Sequence, residues 1–198
     1  MTAKREAGRP AVRPGAREAF SLALKKFVNG DRLDMQDLAA ELGVDRTTLF
    51  RWVGNRDTLV VNILTTLADP TIKKAADAAS GSGGARVARI AEIYAQKIID
   101  ASYYRAFMQR EPERSLRLTT TKASPLQQHI VESFQNLLQQ ERDGGHEFPP
   151  MDLHDLAYLI VRIIESFIYA DIITGEEPDS AKVGAAIAAL LATSPAVR

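Results

Sequence analysis

The side chains best suited to chemistry follow Gly43 and Asp45 in a short run of basic and hydroxyl residues. They are Arg46, Thr47, Thr48, Arg51 and Trp52. On a helix these side chains would offer hydrogen-bond donors to the phosphates and base edges of a DNA major groove. We therefore interpret this run as a candidate recognition helix. Taken alone, the pattern is more typical of a helical hairpin with a solvated basic face, and the flanking helices are what favour DNA binding.

Capping and helix-ending residues around this run predict a helix-turn-helix. Asp34 is a natural N-cap for a helix over the following residues, and Gly43 ends that helix because glycine adopts the left-handed backbone at little cost. Asp45 is the predicted N-cap of the recognition helix, and Asn55 is the predicted N-cap of the next one. The donors would thus lie on a short helix held between two others.

The stretch LAAELGVDRTTLFRWVGNRDTL, with Phe20, Leu24, Phe27 and Gly30 upstream, resembles the DNA-binding domain of the TetR family of one-component transcriptional regulators. The resemblance covers about the first third of the chain. It implies an all-α fold, with an N-terminal helix-turn-helix domain over residues 1–60 and a C-terminal helical effector-binding and dimerisation domain over 61–198. The FRWVGNRD variant is similar to the QsdR-like subgroup, whose regulators control the degradation of lactone signals.

The sequence departs from the usual family pattern at four positions, one of them Val53 in place of phenylalanine, and its loop between Gly30 and Asp34 is shorter than usual. Phe50 stands where the family usually has tyrosine, Trp52 replaces tyrosine or histidine, and Arg56 replaces lysine. The tyrosine hydroxyl and the lysine reach phosphates in the family. Phe50 cannot donate a hydrogen bond, whereas the Trp52 indole and the Arg56 guanidinium can. The resemblance therefore implies that Arg56 also contacts DNA.

Positive charge is concentrated at the N-terminus, although the whole chain has a formal net charge of zero. Residues 1–17 contain Lys4, Arg5, Arg9, Arg13 and Arg17 against a single acid, together with prolines and glycines. This segment is either a solvated tail or a flexible arm. As an arm, it would bring Arg13 and Arg17 to phosphates or to a minor groove beside the recognition helix.

Composition excludes several other classes of protein. The chain has no cysteine, which rules out disulfides and cysteine metal sites, and its three histidines lack the spacing of a zinc motif. No apolar run reaches the roughly 18 residues of a membrane span, and no signal-peptide pattern opens the chain. We expect a cytoplasmic protein that needs no cofactor or metal and does not bind membranes.

The C-terminal half carries apolar stripes at helical spacing over about 85–109, 124–144, 152–173 and 180–191. Pro70 predicts a kink or break in the helix that starts at Asn55. Residues 152–173 are hydrophobic nearly all round, and 180–191 are rich in small residues, so a partner subunit is expected to cover them. The predicted dimer contacts are Ile164, Ile168, Ala185 and Ala189.

A pocket for a small apolar effector is expected among these helices, because the family resemblance implies one and aromatic residues are frequent there. The candidate wall residues are Tyr94, Phe107, His129, Phe134, Tyr158, Arg162, Glu165 and Tyr169. His129 lies on an apolar stripe, where a core position is the simpler interpretation. The polar strip of Tyr158, Arg162, Glu165 and Tyr169 also fits solvent exposure or an interfacial ion pair.

These observations favour a homodimeric regulator, by family default a repressor, that binds a palindromic operator and releases it when a small apolar effector binds. A lactone or acyl compound is the effector that the subgroup suggests. One alternative is a helical interaction or carrier protein whose hairpin does not bind DNA, since Phe50 lacks the hydroxyl. Another is an all-α enzyme using His129, His154, Asp155, Arg162 or Glu165, but no nucleophile motif or cofactor loop supports it.

Overall fold

The computed structural model describes residues 15–192, and that range contains eleven α-helices and no β-strand. The all-α prediction is confirmed. The helices are α1 (Ala16–Val28), α2 (Met35–Glu41), α3 (Arg46–Val53), α4 (Arg56–Ala78), α5 (Gly83–Asp100), α6 (Ser102–Arg110), α7 (Pro112–Thr120), α8 (Leu126–Asp143), α9 (Leu153–Ile168), α10 (Ala170–Ile173) and α11 (Ser180–Leu191).

Helices α1 to α3 form the predicted helix-turn-helix unit, and side-chain caps fix where its helices begin. The Asp34 carboxylate accepts hydrogen bonds from two backbone N–H groups of α2, and the Asp45 carboxylate accepts one from the Thr48 N–H at 2.8 Å. Gly43 has φ +66°, the left-handed conformation expected of a tight helix exit. Buried Leu38 and Leu49 join α2 and α3 in a common core. The local sequence signals therefore produce the predicted geometry.

Helix α4 runs without a break from Arg56 to Ala78, although Pro70 lies inside it. Proline removes one backbone hydrogen bond, but Pro70 is on the exposed face, where water can satisfy the freed carbonyl group. The predicted break is therefore absent. Because α4 also crosses residue 60, the proposed boundary between the two parts of the chain falls within a continuous helix.

The remaining helices pack as layers around α4, α5 and α9. Helix α8 lies along α9, α11 packs on α5, and α4 contacts both α5 and α8. Gly184 allows the close approach of α11 to α5, because a Cβ atom there would stand 2.8 Å from the Glu92 carboxylate. The small residues of α11 thus serve packing within the subunit on one side of the helix.

Two of the predicted helices are divided in the structure. The stripe over 85–109 breaks at Ala101, which separates α5 from α6, and the apolar stretch after Asp152 ends α9 at Ile168 before the short α10. Pro112 follows α6 closely and occupies the first turn of α7. Proline is compatible with that position because the first N–H groups of a helix have no partner within the helix.

The glycine-rich segment before α5 is anchored by a buried side chain of α8. The Gly83 N–H donates a 2.6 Å hydrogen bond to the buried Glu141 carboxylate of α8, which also pairs with Arg86 at 2.7 Å. Arg86 in turn donates to the Ala76 carbonyl oxygen of α4. This network ties α4, α5 and α8 together at one end of the helical layers.

Candidate DNA interface and internal cavity

The exposed face of α3 combines two cations, one hydroxyl and one aromatic ring. Arg46, Thr47, Phe50 and Arg51 are exposed, whereas Leu49 and Val53 face the core. At about 100° per residue, the four exposed side chains share an arc of about 140°, with Phe50 between Arg46 and Thr47. Phe50 is 57% exposed, which is unusual for so large an apolar side chain. The face therefore has both charged and apolar groups available for contact.

Three other residues that the sequence predicts to contact DNA lie outside this exposed face of α3. The Thr48 hydroxyl donates to the Asp45 carboxylate at 2.8 Å, so it completes the helix cap. Trp52 is half-buried against the core, and Arg17 is exposed on α1. Arg13 lies outside the described residues. Thr48 and Trp52 are thus less available to DNA than the sequence suggests.

Arg56 is occupied by contacts within the chain. Its Nε donates to the Leu33 carbonyl oxygen at 2.8 Å, and its Nη1 lies 2.8 Å from a Glu111 carboxylate oxygen. This geometry differs from the predicted role, in which the guanidinium faces a phosphate. The hydrogen bond from Arg56 lowers the pKa of Glu111, so this carboxylate stays ionised at neutral pH.

The ion pair belongs to a larger network between the start of α4 and helix α7. Arg114 lies 2.6 Å from Asp57 and 3.1 Å from Glu111, and Arg117 lies 3.1 Å from Asp57. Nearby, the Arg110 guanidinium donates to the Gly30 carbonyl oxygen at 2.5 Å. These contacts connect the helix-turn-helix unit to the helices behind it.

Behind this network lies a cavity of about 200 Å³. Aliphatic side chains from α4, α5, α8 and α9 form most of its wall, including Leu64, Leu67, Ile98, Ile130, Val161, Ile164 and Ile168. The polar lining consists of four tyrosines, two threonines, two lysines and one carboxylate. These residues are Tyr94, Tyr103, Tyr104, Tyr169, Thr71, Thr119, Lys74, Lys97 and Glu165. A pocket that combines an aliphatic wall with tyrosine, threonine and charged side chains is compatible with a small-molecule site.

The structure brings three of the eight predicted effector residues to this cavity: Tyr94, Glu165 and Tyr169. Phe134 lies one layer behind, with its ring centroid 5.9 Å from that of Tyr94. Phe107 instead packs against Phe27 of α1, with ring centroids 5.6 Å apart. Both phenylalanines are buried, so their apolar character reflects core packing.

The other predicted effector residues do not line the cavity. His129 lies at the outer surface, where its Nε2 is 2.6 Å from the Asp69 carboxylate. Tyr158 is exposed, and Arg162 is half-exposed with one guanidinium nitrogen 2.5 Å from Glu165. A helical wheel shows which side chains share one side of a helix. It does not show how α8 and α9 are oriented about their axes in the packed structure, and therefore not which side faces the cavity.

Ile164 and Ile168, predicted at the dimer interface, point into the subunit and line the cavity. Both are buried without a partner chain, so this part of the interface prediction is revised. Ala185 and Ala189 are exposed on α11 and stay available for association. The outer side of α9 and α10 also presents Tyr158 and Ile173, which are 45% and 60% exposed.

Glu165 is the most unusual titratable group at the cavity. Its side chain is 6% exposed, and its Oε2 makes no hydrogen bond within residues 15–192. Arg162 Nη1 stands 2.5 Å from that oxygen as an ion pair and also donates to the Thr120 carbonyl oxygen. Burial raises the pKa of Glu165 to about 7, and the opposing charge of Arg162 only partly compensates.

The tyrosine hydroxyls beside Glu165 divide into a bonded group and an unbonded one. The Tyr104 and Tyr169 hydroxyls lie 2.6 Å apart and are hydrogen-bonded to each other. Burial raises the pKa of Tyr169 to about 12. Burial also raises the pKa of Tyr94, whose hydroxyl has no hydrogen-bond partner among the described residues. Tyr94 thus remains a neutral donor facing the cavity.

Sequence reasoning did not identify the α4 side of the cavity. Leu64, Leu67, Ala68 and Thr71 follow the three- and four-residue spacing of one helix face, but that spacing is equally expected of a core helix. Residues 15–192 contain no group of three metal-ligating side chains. Within the same range, none of the helices is long and apolar enough to cross a bilayer.

Comparison with known proteins gives a consistent set of similarities. The family model described as "Tetracyclin repressor-like, C-terminal domain" matches residues 82–192. Among solved structures, the chain is similar to the R. erythropolis transcriptional repressor QsdR from the TetR family. The two are 28% identical, with 92% of this chain and 97% of that chain covered and a TM-score of 0.82.

A second solved structure shares the fold at lower identity. It is the TetR family repressor AlkX from Dietzia sp. strain DQ12-45-1b, described as implicated in biodegradation of n-alkanes. The two chains are 22% identical, with 90% of this chain and 96% of that chain covered and a TM-score of 0.61. No curated protein matches the sequence.

Proposed function

Because the chain belongs to the TetR family of transcriptional regulators, we propose that it binds a palindromic DNA operator as a homodimer and dissociates when a small apolar molecule enters the cavity. Repression by operator occupancy is the mode that QsdR and AlkX suggest by their descriptions. The two sites required by such a regulator are the exposed face of α3 and the cavity behind α4.

The observation that carries this proposal is the course of α4. The helix begins at Arg56, directly after the recognition helix, and it lines the cavity from Leu64 to Thr71. At 1.5 Å per residue, its start and the first cavity residue are about 12 Å apart on one rigid element. A ligand that displaces Leu64 or Leu67 would therefore also move the base of the DNA-binding unit.

The network around Arg56 provides a second mechanical connection. Helices α6 and α7 carry the cavity residues Tyr104 and Thr119, and Arg114 of α7 holds Asp57 at the start of α4. A ligand that separates α7 from α4 would strain these ion pairs. The ligand would then make different contacts in the DNA-bound and the DNA-free protein. Such a difference is the requirement for allosteric coupling between the two sites.

On the DNA side, we propose that Arg46 and Arg51 contact phosphates or guanine edges and that Thr47 contacts a base edge. Phe50 lies within the same arc and cannot donate a hydrogen bond. An aromatic ring in the major groove contacts the thymine methyl group favourably. We therefore assign Phe50 to apolar base readout, in contrast to the phosphate contact that a tyrosine hydroxyl would make.

We propose that the dimer forms through the outer face of α9 and the neighbouring surface of α11. Tyr158 and Ile173 are exposed, Ile163 and Phe167 are half-buried, and Ala185 on α11 is exposed. Ile163 and Phe167 are four residues apart on one side of α9, so a partner subunit would cover them together. A two-fold dimer would place two recognition helices at the half-sites of a palindrome, one or two helical turns apart.

The proposal is tested by selecting duplexes from a randomised DNA library with the full-length protein and measuring binding of the selected DNA. We expect a palindromic sequence, a dimer on each duplex, and affinity that falls steeply with salt. Arg46→Ala should weaken binding, whereas Arg105→Ala, an exposed arginine on α6, is the matched control. Absence of any selected sequence would instead support the carrier alternative.

A further inference from the structure

Tyr103 of α6 lies between the cavity and the helix-turn-helix unit. Its side chain belongs to the cavity wall, and its ring meets the ring of Phe27 in α1 edge to face, with centroids 5.8 Å apart. Phe27 is 4% exposed and belongs to the core around α1. Tyr103 also lines a small gap beside Phe27, Leu33 and Arg56, and it is the one residue within 15–192 that this gap and the cavity share. A molecule inside the cavity would therefore touch a side chain that packs directly on α1.

The neighbouring aromatic residues of α6 have only one of these two contacts. Tyr104 lines the cavity, but its hydroxyl is hydrogen-bonded to Tyr169 at 2.6 Å, which ties it to the end of α9. Phe107 packs against Phe27 with ring centroids 5.6 Å apart, but it is not part of the cavity wall. The Tyr103 hydroxyl has no hydrogen-bond partner within the described residues, so packing alone holds this ring in place.

Helix α6 is short and is bounded by two non-helical residues. Ala101 before it has φ −76° and ψ 93° and provides no side-chain cap, and Glu111 after it has φ −142° and ψ 67°. Near the end of α6, the Arg110 guanidinium donates to the Gly30 carbonyl oxygen, which lies just after α1. Residues at the ends of helices are the positions where a rigid segment changes its direction. Helix α6 can therefore tilt as one body, and its contacts with α1 would move with it.

We propose that Tyr103 is a positioning residue for the response of the DNA-binding unit: a molecule that fills the cavity displaces the Tyr103 ring, which displaces Phe27 and α1. Because α1 packs on α3, this movement changes the orientation of the recognition helix. The inference rests on the proposed function and goes beyond it, since it assigns a route that reaches α1 through α6 and not through α4. A ligand contact that differs between the two orientations is what shifts the equilibrium between them.

The test fills the cavity covalently, so it does not depend on the identity of the natural effector. The chain has no cysteine, so Ile130→Cys places a single thiol on the α8 side of the cavity wall. Hexyl methanethiosulfonate then attaches an aliphatic chain to this thiol, and methyl methanethiosulfonate provides a minimal occupant. Mass spectrometry confirms one adduct per subunit. Gln128→Cys carries the same adducts on the exposed side of α8 and is the matched control.

Amide hydrogen exchange in the last turn of α1 is the readout, measured on the full-length protein without DNA. In this turn the Asn29 N–H donates to the Lys25 carbonyl oxygen, and Phe27 provides the packing. Loss of that packing should let the turn open more often. We expect exchange to be at least about tenfold faster with the hexyl than with the methyl adduct at Ile130→Cys, and no difference at Gln128→Cys.

Leucine variants separate the two contacts of Tyr103, each compared as the hexyl-to-methyl ratio of exchange rates in its own background. Tyr103→Leu changes both contacts and should reduce the ratio to within about twofold of unity. Tyr104→Leu enlarges the cavity to a similar extent, and Phe107→Leu removes an aromatic contact with Phe27, but both should retain the full ratio. Tyr104 also faces Phe107, with ring centroids 6.2 Å apart, so these two variants test that indirect route as well. Phe27→Leu leaves the cavity wall unchanged and should behave as Tyr103→Leu does.

A ratio near unity at Ile130→Cys, a full ratio in Tyr103→Leu or Phe27→Leu, or its loss in Tyr104→Leu would overturn this inference. The proposed function is assessed separately by binding the same adducts to the selected DNA, where the hexyl adduct should weaken binding about tenfold. Faster exchange in α1 without weaker DNA binding would contradict the proposed release and support the route from Tyr103 to α1. Weaker DNA binding that persists in Tyr103→Leu would support the release and contradict the assigned route.

Discussion

The Arg56 guanidinium is 2.8 Å from the Glu111 carboxylate and joins the first turn of α4 to the residue that precedes α7. Both side chains are largely buried, at 20% and 26% exposure. A charge pair of this kind holds its geometry better than an exposed one, and losing one partner leaves the other partly desolvated. The pair therefore fixes the start of α4, directly after the helix-turn-helix unit, against α7.

We predict that Arg56→Ala acts on stability and not on the electrostatics of DNA binding. Loss of the Glu111 pair and of the hydrogen bond to Leu33 should lower the free energy of unfolding by about 1–3 kcal/mol. Thermal unfolding checks this, with a decrease in midpoint of at least about 2 °C expected. Arg46→Ala, which removes an exposed arginine, should leave the midpoint nearly unchanged.

The same two variants should also differ in how strongly their operator affinity depends on salt concentration. Here Arg46→Ala, and not Arg56→Ala, is expected to show the effect. Arg46→Ala should reduce the slope by about one, as expected for a lost phosphate contact. Arg56→Ala should keep the wild-type slope, because its guanidinium is already neutralised by Glu111. A reduced slope for Arg56→Ala would restore the role implied by the family lysine.

Much of the helix-turn-helix could be predicted because its signals are local. A capping carboxylate at Asp34 or Asp45 acts within three residues, and Gly43 determines its own turn. The start and end of α11 at Ser180 and Leu191 also matched, since the Asp179 carboxylate caps the helix. Structure that depends on local hydrogen bonds and backbone preferences can therefore be predicted directly from the sequence.

The cavity could be predicted only in part, because it depends on how separate helices rotate against one another. Ile164 and Glu165 are neighbours on α9, and both face inward, while Arg162 reaches the surface. A helical wheel shows the relative directions of these three side chains, but it does not show which side of α9 packs against α4. The Arg56–Glu111 pair spans 55 residues, so no local pattern indicates it.

Glu165 should make the stability of the protein depend on pH. Its pKa is about 7 in the folded state and 4.5 as an ordinary carboxyl group, so the folded protein binds more protons between these values. The free energy of unfolding therefore falls as the pH rises through this window. Glu165→Gln should be more stable than the wild type above pH 7, by at most about 3 kcal/mol, and the difference should vanish near pH 4.5.

Urea denaturation of both proteins at several pH values measures this difference directly. Glu132→Gln, which neutralises an exposed carboxylate on α8, is the matched control and should show a nearly constant difference. A constant offset for Glu165→Gln across the same pH range would show that Glu165 titrates normally in the folded protein.

Association through the outer face of α9 predicts a clear effect of charge at Phe167. This side chain is half-buried in the single subunit and would be fully buried in a dimer. Phe167→Glu should place an unpaired charge in the interface and yield a folded monomer in sedimentation equilibrium, with normal helix content by circular dichroism. Ser21→Glu, an exposed change on α1, should remain dimeric.

Ile164→Glu should behave differently from Phe167→Glu. Ile164 lines the cavity and is 2% exposed, so a carboxylate there would be desolvated within the subunit itself. We expect a loss of thermal stability of several degrees, accompanied by unfolding or aggregation, and no folded monomer. A stable monomeric Ile164→Glu protein would indicate that this helix face is an interface after all.

Thymine methyl groups should be recognised by Phe50. Its ring is 57% exposed between Arg46 and Thr47, and burial of its apolar surface against a methyl group would favour a thymine at that position of the operator. Replacing thymine by uracil removes the methyl group and leaves base pairing unchanged. We expect one such replacement in each half-site to weaken wild-type binding by about three- to tenfold.

Phe50→Ala should bind the thymine operator more weakly and no longer distinguish thymine from uracil, whereas Thr47→Ala should retain the thymine preference. Scanning each thymine of the selected operator in a competition gel shift measures this for both proteins. If no uracil replacement affects the wild type, or if Phe50→Ala remains equally sensitive, Phe50 does not contact a methyl group and its exposure has another cause.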